Sequence, residues 1–416
     1  MNRDAAREIE KDQPQAVQEP LVVDLDRDLM RGNLGAEVFW STLGKDYRRC
    51  LSLRHRIPPA AENVPLDNHV IGAMGAAEAS GRAVILTDSG QPGLAAGVAT
   101  RIGCVSAVEP GTAPASDLPH APRALGRAMI KQMRPHQWVK NLLILLPLIA
   151  DHAFQPGPIL QALLAFVAMS LIASSVYVLN DLADLDNDRV HRTKRERPFA
   201  SGRLPVRYGG PMLALLLVTG FGVAAFVNPA LVAVLAVYFV MTTAYSMKLK
   251  GMLAIDIVVL AMLYTVRIVA GAAATQIDPS VWLLTFSIFL FLSLAAVKRL
   301  AELVDLEARD GPKAAAGRAY SVADQPIIAN IATAAGFIAV LVLALYMDSP
   351  EVRAMYSEPW ALWGVCIVIL FWVSRIVLLA HRGGVHEDPV VFALKDPMSR
   401  VVVGIVIALF ATAVLA

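Results

Sequence analysis

The chain has 416 residues, of which 56% are hydrophobic and 17% are charged, and its formal net charge is +2. This apolar excess is concentrated after Trp138, so we predict an all-α polytopic membrane protein with a small α/β region at its front. The basic residues lie beside the apolar runs rather than on one exposed face, which argues against binding to nucleic acid. The three cysteines, Cys50, Cys104 and Cys366, have no spacing typical of disulfides or zinc sites.

The front of the chain alternates between short apolar runs and polar segments. Residues 1–20 lack an apolar core, and we predict a disordered tail. Residues 21–107 contain two apolar runs that end in polar residues and a predicted helix after the second run, an order that favours a small α/β region with parallel strands. Residues 108–122 are rich in Pro, Ala, Ser and Gly, so we predict a linker before a membrane domain at 123–416.

The front region resembles the haloacid-dehalogenase phosphatase family. Asp24 and Asp26 match the nucleophile and the acid/base of the first motif, D-x-D-G-T, and Thr87 matches the phosphate-binding hydroxyl of the second. Arg27 replaces the Gly of the first motif, Asp28 replaces its Thr, and no later Lys or paired-Asp motif follows. The resemblance therefore implies a shortened, catalytically inactive remnant. We expect it to be an appendage whose removal leaves the activity of the membrane domain intact.

The remainder of the chain begins with a basic amphipathic segment, residues 123–140, that we expect to lie on the membrane face. About nine spans are predicted, each with roughly 20 apolar residues. They cover 138–153, 157–183, 210–228, 229–247, 252–274, 280–300, 326–347, 360–380 and 400–416. Lys and Arg concentrate in alternate connections, which predicts that the front region and the charged loops face the cytoplasm across a bacterial inner membrane.

A charged stretch, residues 180–207, follows directly on the apolar run at 159–179. If that run is a helix, the spacing of Asp181, Asp184 and Asp188 stacks their carboxylates on one face of its last turns. Carboxylates that close repel one another unless a cation lies between them. Hard oxygen ligands suit Mg²⁺, so these three residues are predicted as catalytic metal ligands.

Fixed positive charge follows the acidic residues immediately. The side chains expected to contact a diphosphate here are Asn180, Arg189, Lys194, Arg195 and Arg197. Asp186 points away from the face that carries the three carboxylates. A cytoplasmic loop that merely obeys the positive-inside rule would explain the Arg and Lys but not the carboxylates on one face. The stretch therefore predicts a metal–diphosphate site.

Further polar residues occur at or near membrane depth, where ionisable groups are costly and usually functional. The candidates for substrate binding are Lys140, Asn141, Tyr264 and Arg267, and the candidates for a catalytic role are Lys298 and Glu302. Two structural alternatives stay open. The segment near Lys140 could be an interfacial Trp with snorkelling cations, and Arg267 could be a charge paired within helix packing.

Four motifs resemble those of one protein family. The pattern N-D-x-x-D-x-x-x-D at 180–188 is similar to the first Asp-rich motif of the UbiA superfamily of intramembrane prenyltransferases. The continuation D-R-V-H-R-T-K-R-E-R-P-F-A-S-G, the segment R-P-H-Q-W-V-K-N at 134–141 and K-R-L-A-E-L at 298–303 resemble the decaprenyl-phosphate phosphoribosyltransferase branch. The resemblance covers the chain from about residue 123 onward and implies a UbiA-like helical bundle that uses Mg²⁺.

The resemblance also implies a reaction. Phosphoribosyl diphosphate would transfer 5-phosphoribose to a polyprenyl phosphate, a lipid that in relatives feeds arabinose donors for envelope polysaccharides or arabinosylated nodulation signals. Because the donor is charged at both ends, Lys298 is expected to bind its second phosphate, and Glu302 is expected to accept a hydrogen bond from a ribose hydroxyl. Two alternatives remain: prenyl transfer from a prenyl diphosphate to an aromatic or other acceptor, and an ion-coupled transporter. Transporters place essential carboxylates near the bilayer midplane, whereas these lie at the end of a span.

Overall fold

The architecture is taken from a computed structural model of the chain. The structure describes residues 19–30, 33–46, 57–114, 116–120, 124–308, 318–350, 353, 358, 360–385 and 388–415. Nearly all of the predicted tail at 1–20 lies outside this range, and so does Cys50. The chain forms two compact units, residues 1–133 with 177–214 and residues 134–176 with 215–416. The domain boundaries drawn from the sequence stay predictions.

The chain contains three short strands and fifteen named helices in the part that the structure describes. The strands are β1 (Leu21–Asp24), β2 (Val84–Thr87) and β3 (Ala107–Glu109). The helices are α1 (Leu34–Lys45), α2 (Asn68–Ala79), α3 (Pro92–Ile102), α4 (Leu125–Met133), α5 (Leu146–Ala150), α6 (Pro156–Ala183), α7 (Leu185–Val190), α8 (Gly209–Val227), α9 (Pro229–Met247), α10 (Ile255–Thr275), α11 (Val281–Glu307), α12 (Gln325–Met347), α13 (Ala361–His381), α14 (Pro389–Lys395) and α15 (Pro397–Leu415). Short 3₁₀ segments cover Pro135–Leu145, Lys194–Glu196, Val206–Tyr208, Leu249–Gly251 and Val322–Asp324.

The first unit contains a parallel sheet in the order β1-β2-β3. Asp24 at the end of β1 lies opposite Thr87 at the end of β2, as the two apolar runs predicted. Burial of Val23, Leu86 and Met74 anchors the sheet and its helices in one apolar core. The third strand falls at the start of the predicted linker. Its three residues are all exposed, so no apolar pattern marked it in the sequence.

The apolar part of the chain is helical, and the protein is a multi-pass membrane protein. Seven helices in the described residues are long and apolar enough to cross a bilayer. They are α6, α8 with its preceding 3₁₀ turn, α9, α10, α11, α12 with its preceding 3₁₀ turn, and α13. The last predicted span corresponds to α15, whose apolar stretch Pro397–Ala413 is shorter than the other seven.

The first predicted span, 138–153, was wrong. Its residues form the 3₁₀ segment Pro135–Leu145 and then the five-residue helix α5, so no continuous α-helix runs through them. Pro147 lacks a backbone N–H and cannot donate the hydrogen bond that a continuous α-helix through this segment needs. The segment packs closely on α10 at Gly271, where an added Cβ would collide with the backbone of Ile144.

Candidate active site

The Asp-rich stretch is broken by its own middle residue. Helix α6 ends at Ala183, and α7 begins at Leu185 after Asp184, whose φ and ψ of −93° and 12° lie outside the α region. The expectation that the three carboxylates stack on one continuous helix was therefore wrong. The chain turns at Asp184, and the side-chain spacing of a regular helix does not continue through this turn.

Two of the three carboxylates nevertheless converge in the first unit. One guanidinium nitrogen of Arg197 lies 3.0 Å from Asp181 Oδ1 and 2.6 Å from Asp188 Oδ2. Gln132 donates a hydrogen bond of 2.8 Å to the other Asp181 oxygen. Asp188 is 1% exposed, and this burial raises the pKa of its carboxyl, an effect that the Arg197 charge opposes. The positive charge of the Arg197 guanidinium therefore lies at the point where the two carboxylates meet.

The oxygen donors of this cluster have the chemistry that Mg²⁺ prefers. Arg197 is a long side chain that is 27% exposed, so its positive charge can give way to a metal ion at the same place. Among the residues that the structure describes, no three His, Cys, Asp or Glu side chains are grouped closely enough to hold a metal ion. Asp181 and Asp188 would thus hold the ion, and the third predicted ligand, Asp184, would have to join them.

The opposite face of the same stretch contacts the front of the chain. Asp186 accepts a hydrogen bond of 2.8 Å from Ser41 and lies 2.9 Å from the ammonium of Lys45. Arg189 lies within 3.0 Å of both carboxylate oxygens of Glu37, and both side chains are nearly fully buried. Arg189, predicted to hold a donor phosphate, is thus paired within the protein and is not gathered around Asp181.

The remaining predicted residues of this stretch are more open. Lys194 and Arg195 lie in an exposed 3₁₀ turn, and Asn180 is half-buried in the last turn of α6. The cationic side chains of Lys194 and Arg195 are accessible to an anionic ligand without the loss of a buried contact. Of the four predicted basic residues, Arg197 contacts both Asp181 and Asp188.

A second polar cluster lies in the other unit, and Asp388 is at its centre. Its carboxylate is 2.8 Å from the ammonium of Lys140 and 3.4 Å from that of Lys298. The Tyr264 hydroxyl donates to the same carboxylate at 2.7 Å. The sequence predicted Lys140, Tyr264 and Lys298 as binding or catalytic residues, and the structure brings all three together. We call these four residues the Asp388 cluster.

The charges of the Asp388 cluster depend on one another. Burial lowers the pKa of Lys140 to about 8, against the opposing effect of Asp388. Burial acts to raise the pKa of Asp388, but Lys298 and Lys140 hold it well below its usual range. Two cations therefore share one carboxylate, which leaves an excess of positive charge that suits a phosphate group.

Arg267 and Asn141 form a separate pair next to this cluster. The Arg267 side chain donates to Asn141 Oδ1 at 3.0 Å and to the Tyr238 hydroxyl at 3.2 Å. It also donates to the Leu263 carbonyl of its own helix. The guanidinium lies 5.4 Å from the centre of the Tyr264 ring, a distance typical of a cation–π contact. Arg267 is buried and well partnered, which agrees with a charge paired within the helix packing.

Glu302 is placed differently from Lys298, although both were predicted to act together. It forms an ion pair with Arg299, whose side chain is fully buried and lies 2.6 Å from Asp256. Arg318 contacts the same Asp256 at 2.8 Å. This network links α10 to α11. Lys298, which precedes Arg299 in the chain, contacts Asp388 instead.

Several side chains of the two clusters were not assigned from the sequence. They are Gln132, Glu37, Tyr238 and, as a centre of contacts, Asp388. Glu37 is 152 positions from Arg189, so no local pattern relates the two residues. Neutral or distant partners such as Gln132 and Tyr238 carry no local pattern at all.

The model of the UbiA prenyltransferase family matches residues 142–395, which is more than half of the chain. The chain belongs to this family. The matched stretch of the UbiA-family protein contains Asp181, Asp188, Lys298 and Asp388, so both clusters include residues of the family domain.

Curated relatives cover this domain. Nodulation protein NoeC of Azorhizobium caulinodans is 40% identical over 271 residues, 64% of this chain and 87% of the relative. Decaprenyl-phosphate phosphoribosyltransferase of Mycolicibacterium smegmatis is 31% identical over 290 residues, 67% of this chain and 90% of the relative. An uncharacterized protein of Sinorhizobium fredii is 37% identical over 292 residues, and the match spans only 55% of its length.

A solved structure supports the fold. A UbiA homolog from Archaeoglobus fulgidus, bound to GPP and Mg²⁺, superposes with a TM-score of 0.52 at 14% identity, over 68% of this chain and 99% of the homolog. At this identity the likeness concerns the fold alone. It confirms a UbiA-like helical bundle for the membrane part.

Proposed function

We propose that the protein transfers 5-phosphoribose from phosphoribosyl diphosphate to a polyprenyl phosphate at the cytoplasmic face of the bacterial inner membrane. The observation that carries the proposal is the Asp388 cluster, in which Lys140 and Lys298 supply two cations for a single internal carboxylate. A donor charged at both ends needs such a phosphate site in addition to a site for its diphosphate. The relative from Mycolicibacterium smegmatis, by its name, supports the same substrate pair.

The acidic cluster is assigned to the leaving diphosphate. Bound Mg²⁺ would supply charge neutralisation for that group. Asp181 and Asp188 would hold the ion, with Asp184 as the third predicted ligand, and Arg197 would move from the carboxylates to the diphosphate oxygens. Lys194 and Arg195 are exposed and can contact the same oxygens.

The reaction forms one bond and breaks one. An oxygen of the lipid phosphate bonds to the anomeric carbon of the ribose, while the bond from that carbon to the diphosphate oxygen breaks and the diphosphate keeps the electron pair. The attacking oxygen is already ionised at neutral pH, so no general base is required. These side chains therefore act by positioning the substrates and neutralising charge.

Lys298 is assigned to the phosphate at the far end of the donor, and Lys140 to the lipid phosphate. Tyr264 orients the carboxylate of Asp388 between these two cations. Glu302, which is partly exposed, can accept a hydrogen bond from a ribose hydroxyl if its ion pair with Arg299 opens. The product lipid would serve as a precursor of arabinose donors for envelope polysaccharide or for nodulation signals, in agreement with the name of the Azorhizobium caulinodans relative.

Prenyl transfer from a prenyl diphosphate is the second candidate, because a fold neighbour was solved with GPP. An acidic metal site suits either donor, whereas a two-cation phosphate site favours the phosphoribosyl donor. The decisive experiment incubates membranes that contain the protein with Mg²⁺ and polyprenyl phosphate, and with either labelled phosphoribosyl diphosphate or labelled prenyl diphosphate. We expect label from the first donor to enter lipid. Incorporation from the second donor alone would reject the proposal.

A further inference from the structure

We propose that helix α1 of the front region is a clamp that positions the Asp-rich stretch for metal binding, with Glu37, Ser41 and Lys45 as positioning residues. The inference rests on the metal-binding role given to Asp181 and Asp188 in the proposed function. It assigns a task to a region that the sequence identified only as a phosphatase remnant.

The clamp consists of one face of α1 and one face of α7. Glu37, Ser41 and Lys45 are spaced four residues apart, so their side chains lie in one row along α1. Glu37 contacts Arg189, while Ser41 and Lys45 both contact Asp186. Both partners, Asp186 and Arg189, lie on α7, the helix that also carries Asp188.

Close packing accompanies these polar contacts. Gly44 of α1 lies so near the end of α6 that an added Cβ would collide with the carbonyl of Ala183. Because Ala183 is the last residue of α6 and Asp184 begins the turn, α1 contacts the chain at the point where the helix breaks. The bend that replaces the regular helix is therefore supported from the front region.

The Glu37–Arg189 pair is the strongest element of the clamp. The side chains are 6% and 2% exposed, and a charge buried to that degree is costly unless its partner is present. Such a pair resists separation and fixes its partners at one distance. Arg189 directly follows Asp188 in the chain, so the pair also fixes the backbone that carries this carboxylate.

A residue of the degenerate phosphatase motif, Asp26, contacts the first residue of α1. Asp26 accepts a hydrogen bond of 2.6 Å from the backbone N–H of Leu34, the first residue of α1. Asn33 caps the same helix by accepting from Ala36 at 2.9 Å. The carboxylate that matches the acid/base of a phosphatase thus orients α1. The front region packs against the Asp-rich stretch within one compact unit. The expectation that its removal leaves the activity intact stays a prediction, and the clamp predicts the opposite result.

Metal binding can be measured without turnover. The full-length protein in detergent is titrated with Mn²⁺ in the presence of inorganic diphosphate, and bound Mn²⁺ is followed by electron paramagnetic resonance. The test variants are Glu37→Gln and the double variant Ser41→Ala with Lys45→Met. Glu78→Gln is the matched control, since Glu78 is an exposed glutamate of α2 in the same unit. Thermal unfolding of each variant is recorded in parallel.

We expect both test variants to bind Mn²⁺ about tenfold more weakly, the usual loss when a residue that orients a metal ligand is removed. The control should match the wild-type protein. If Glu37→Gln leaves Arg189 unpaired and the protein does not fold, the double variant decides the question, because it leaves no fully buried charge without a partner.

Other results overturn the inference. If the folded test variants bind Mn²⁺ with wild-type affinity, α1 only stabilises the unit. If the wild-type protein binds no Mn²⁺, both the metal site and the clamp are rejected. Transfer of label is measured separately. Weaker Mn²⁺ binding in the variants together with no phosphoribosyl transfer by the wild-type protein would reject the proposed function and retain the clamp.

Discussion

The first unit contains two aspartate-rich sites that differ in what satisfies their carboxylates. Asp24 is fully buried and accepts hydrogen bonds from the backbone of Asp26, Arg27 and Ala113 and from the hydroxyls of Thr87 and Ser89. Asp188, almost equally buried, is held by the guanidinium of Arg197. One carboxylate is therefore tied to fixed groups of the fold, and the other is balanced by a single long side chain.

This difference separates a structural role from a binding role. Backbone N–H groups cannot leave Asp24 without unfolding the segment, and burial, which opposes ionisation, is outweighed by these bonds, so that the pKa of Asp24 is lowered. Both oxygens of Asp24 already accept hydrogen bonds from these fixed donors. Around Asp188, a change of side-chain conformation at Arg197 releases the oxygens for a cation. The comparison favours an inactive front site and an active Asp-rich site.

The largest expected effect is the loss of transfer in Asp188→Asn. Removal of one anionic ligand weakens the neutralisation of the leaving diphosphate, and we expect Mg²⁺-dependent transfer to fall about a thousandfold, or roughly 4 kcal/mol in the barrier. The assay follows label from phosphoribosyl diphosphate into lipid. Asp151→Asn, in the exposed turn after α5, is the control. Near-normal turnover of Asp188→Asn at limiting Mg²⁺ would contradict the assignment.

A second prediction concerns the fixed carboxylate. Asp24→Asn replaces an acceptor of five hydrogen bonds by an amide that repels some of its donors, so we expect a local loss of about 3 kcal/mol in stability. Hydrogen exchange of the full-length protein should show faster exchange at β1 and the start of α1. Asp117→Asn, an exposed residue of the same unit, serves as the comparison. Unchanged hydrogen-exchange protection in Asp24→Asn would contradict the structural role of Asp24.

The third prediction tests the phosphate site of the other unit. We expect Lys298→Ala to raise the apparent KM for phosphoribosyl diphosphate about tenfold to a hundredfold, as the loss of a charge-assisted hydrogen bond of ~1.5–3 kcal/mol requires. The requirement for polyprenyl phosphate should change less. Lys248→Ala removes an exposed lysine after α9 and is the control. Loss of lipid affinity with normal donor affinity would exchange the two assignments.

The smallest effect is a pH dependence at Lys140. Its pKa of about 8 means that the ammonium, which binds phosphate, loses its proton as the pH rises past this value. Affinity for polyprenyl phosphate should therefore fall by up to about tenfold above pH 8. The charged neighbours of Lys140 are Asp388, Lys298 and Arg267. The pKa of Asp388 is held far below this range, so its carboxylate does not produce the same decline.

The matched variant for this pH dependence is Lys140→Arg, which remains charged and should give a flat profile. Lys248→Arg should retain the wild-type profile. An equal decline in Lys140→Arg and in the wild-type protein would assign the titration to another group.

The sequence predicted much of this protein because its signals are local. Apolar runs of sufficient length predicted the seven helices that are long and apolar enough to cross a bilayer. Short apolar runs that end in polar residues predicted β1 and β2 with Asp24 and Thr87 at their ends. The Asp-rich motif predicted the UbiA family. All of these features lie within one element or one short motif, where spacing along the chain equals spacing in the fold.

Tertiary structure decided which side chains meet. Glu37 and Arg189 are 152 positions apart, and Tyr264 and Asp388 are 124 apart, so no periodicity relates them. The break at Asp184 lies where α1 packs against the end of α6, and the 3₁₀ segment near Lys140 packs on Gly271, two contacts that no local pattern indicated. Long-range packing can override the helical preference of a local segment, because the free energy of burial and charge pairing exceeds the small differences in backbone propensity.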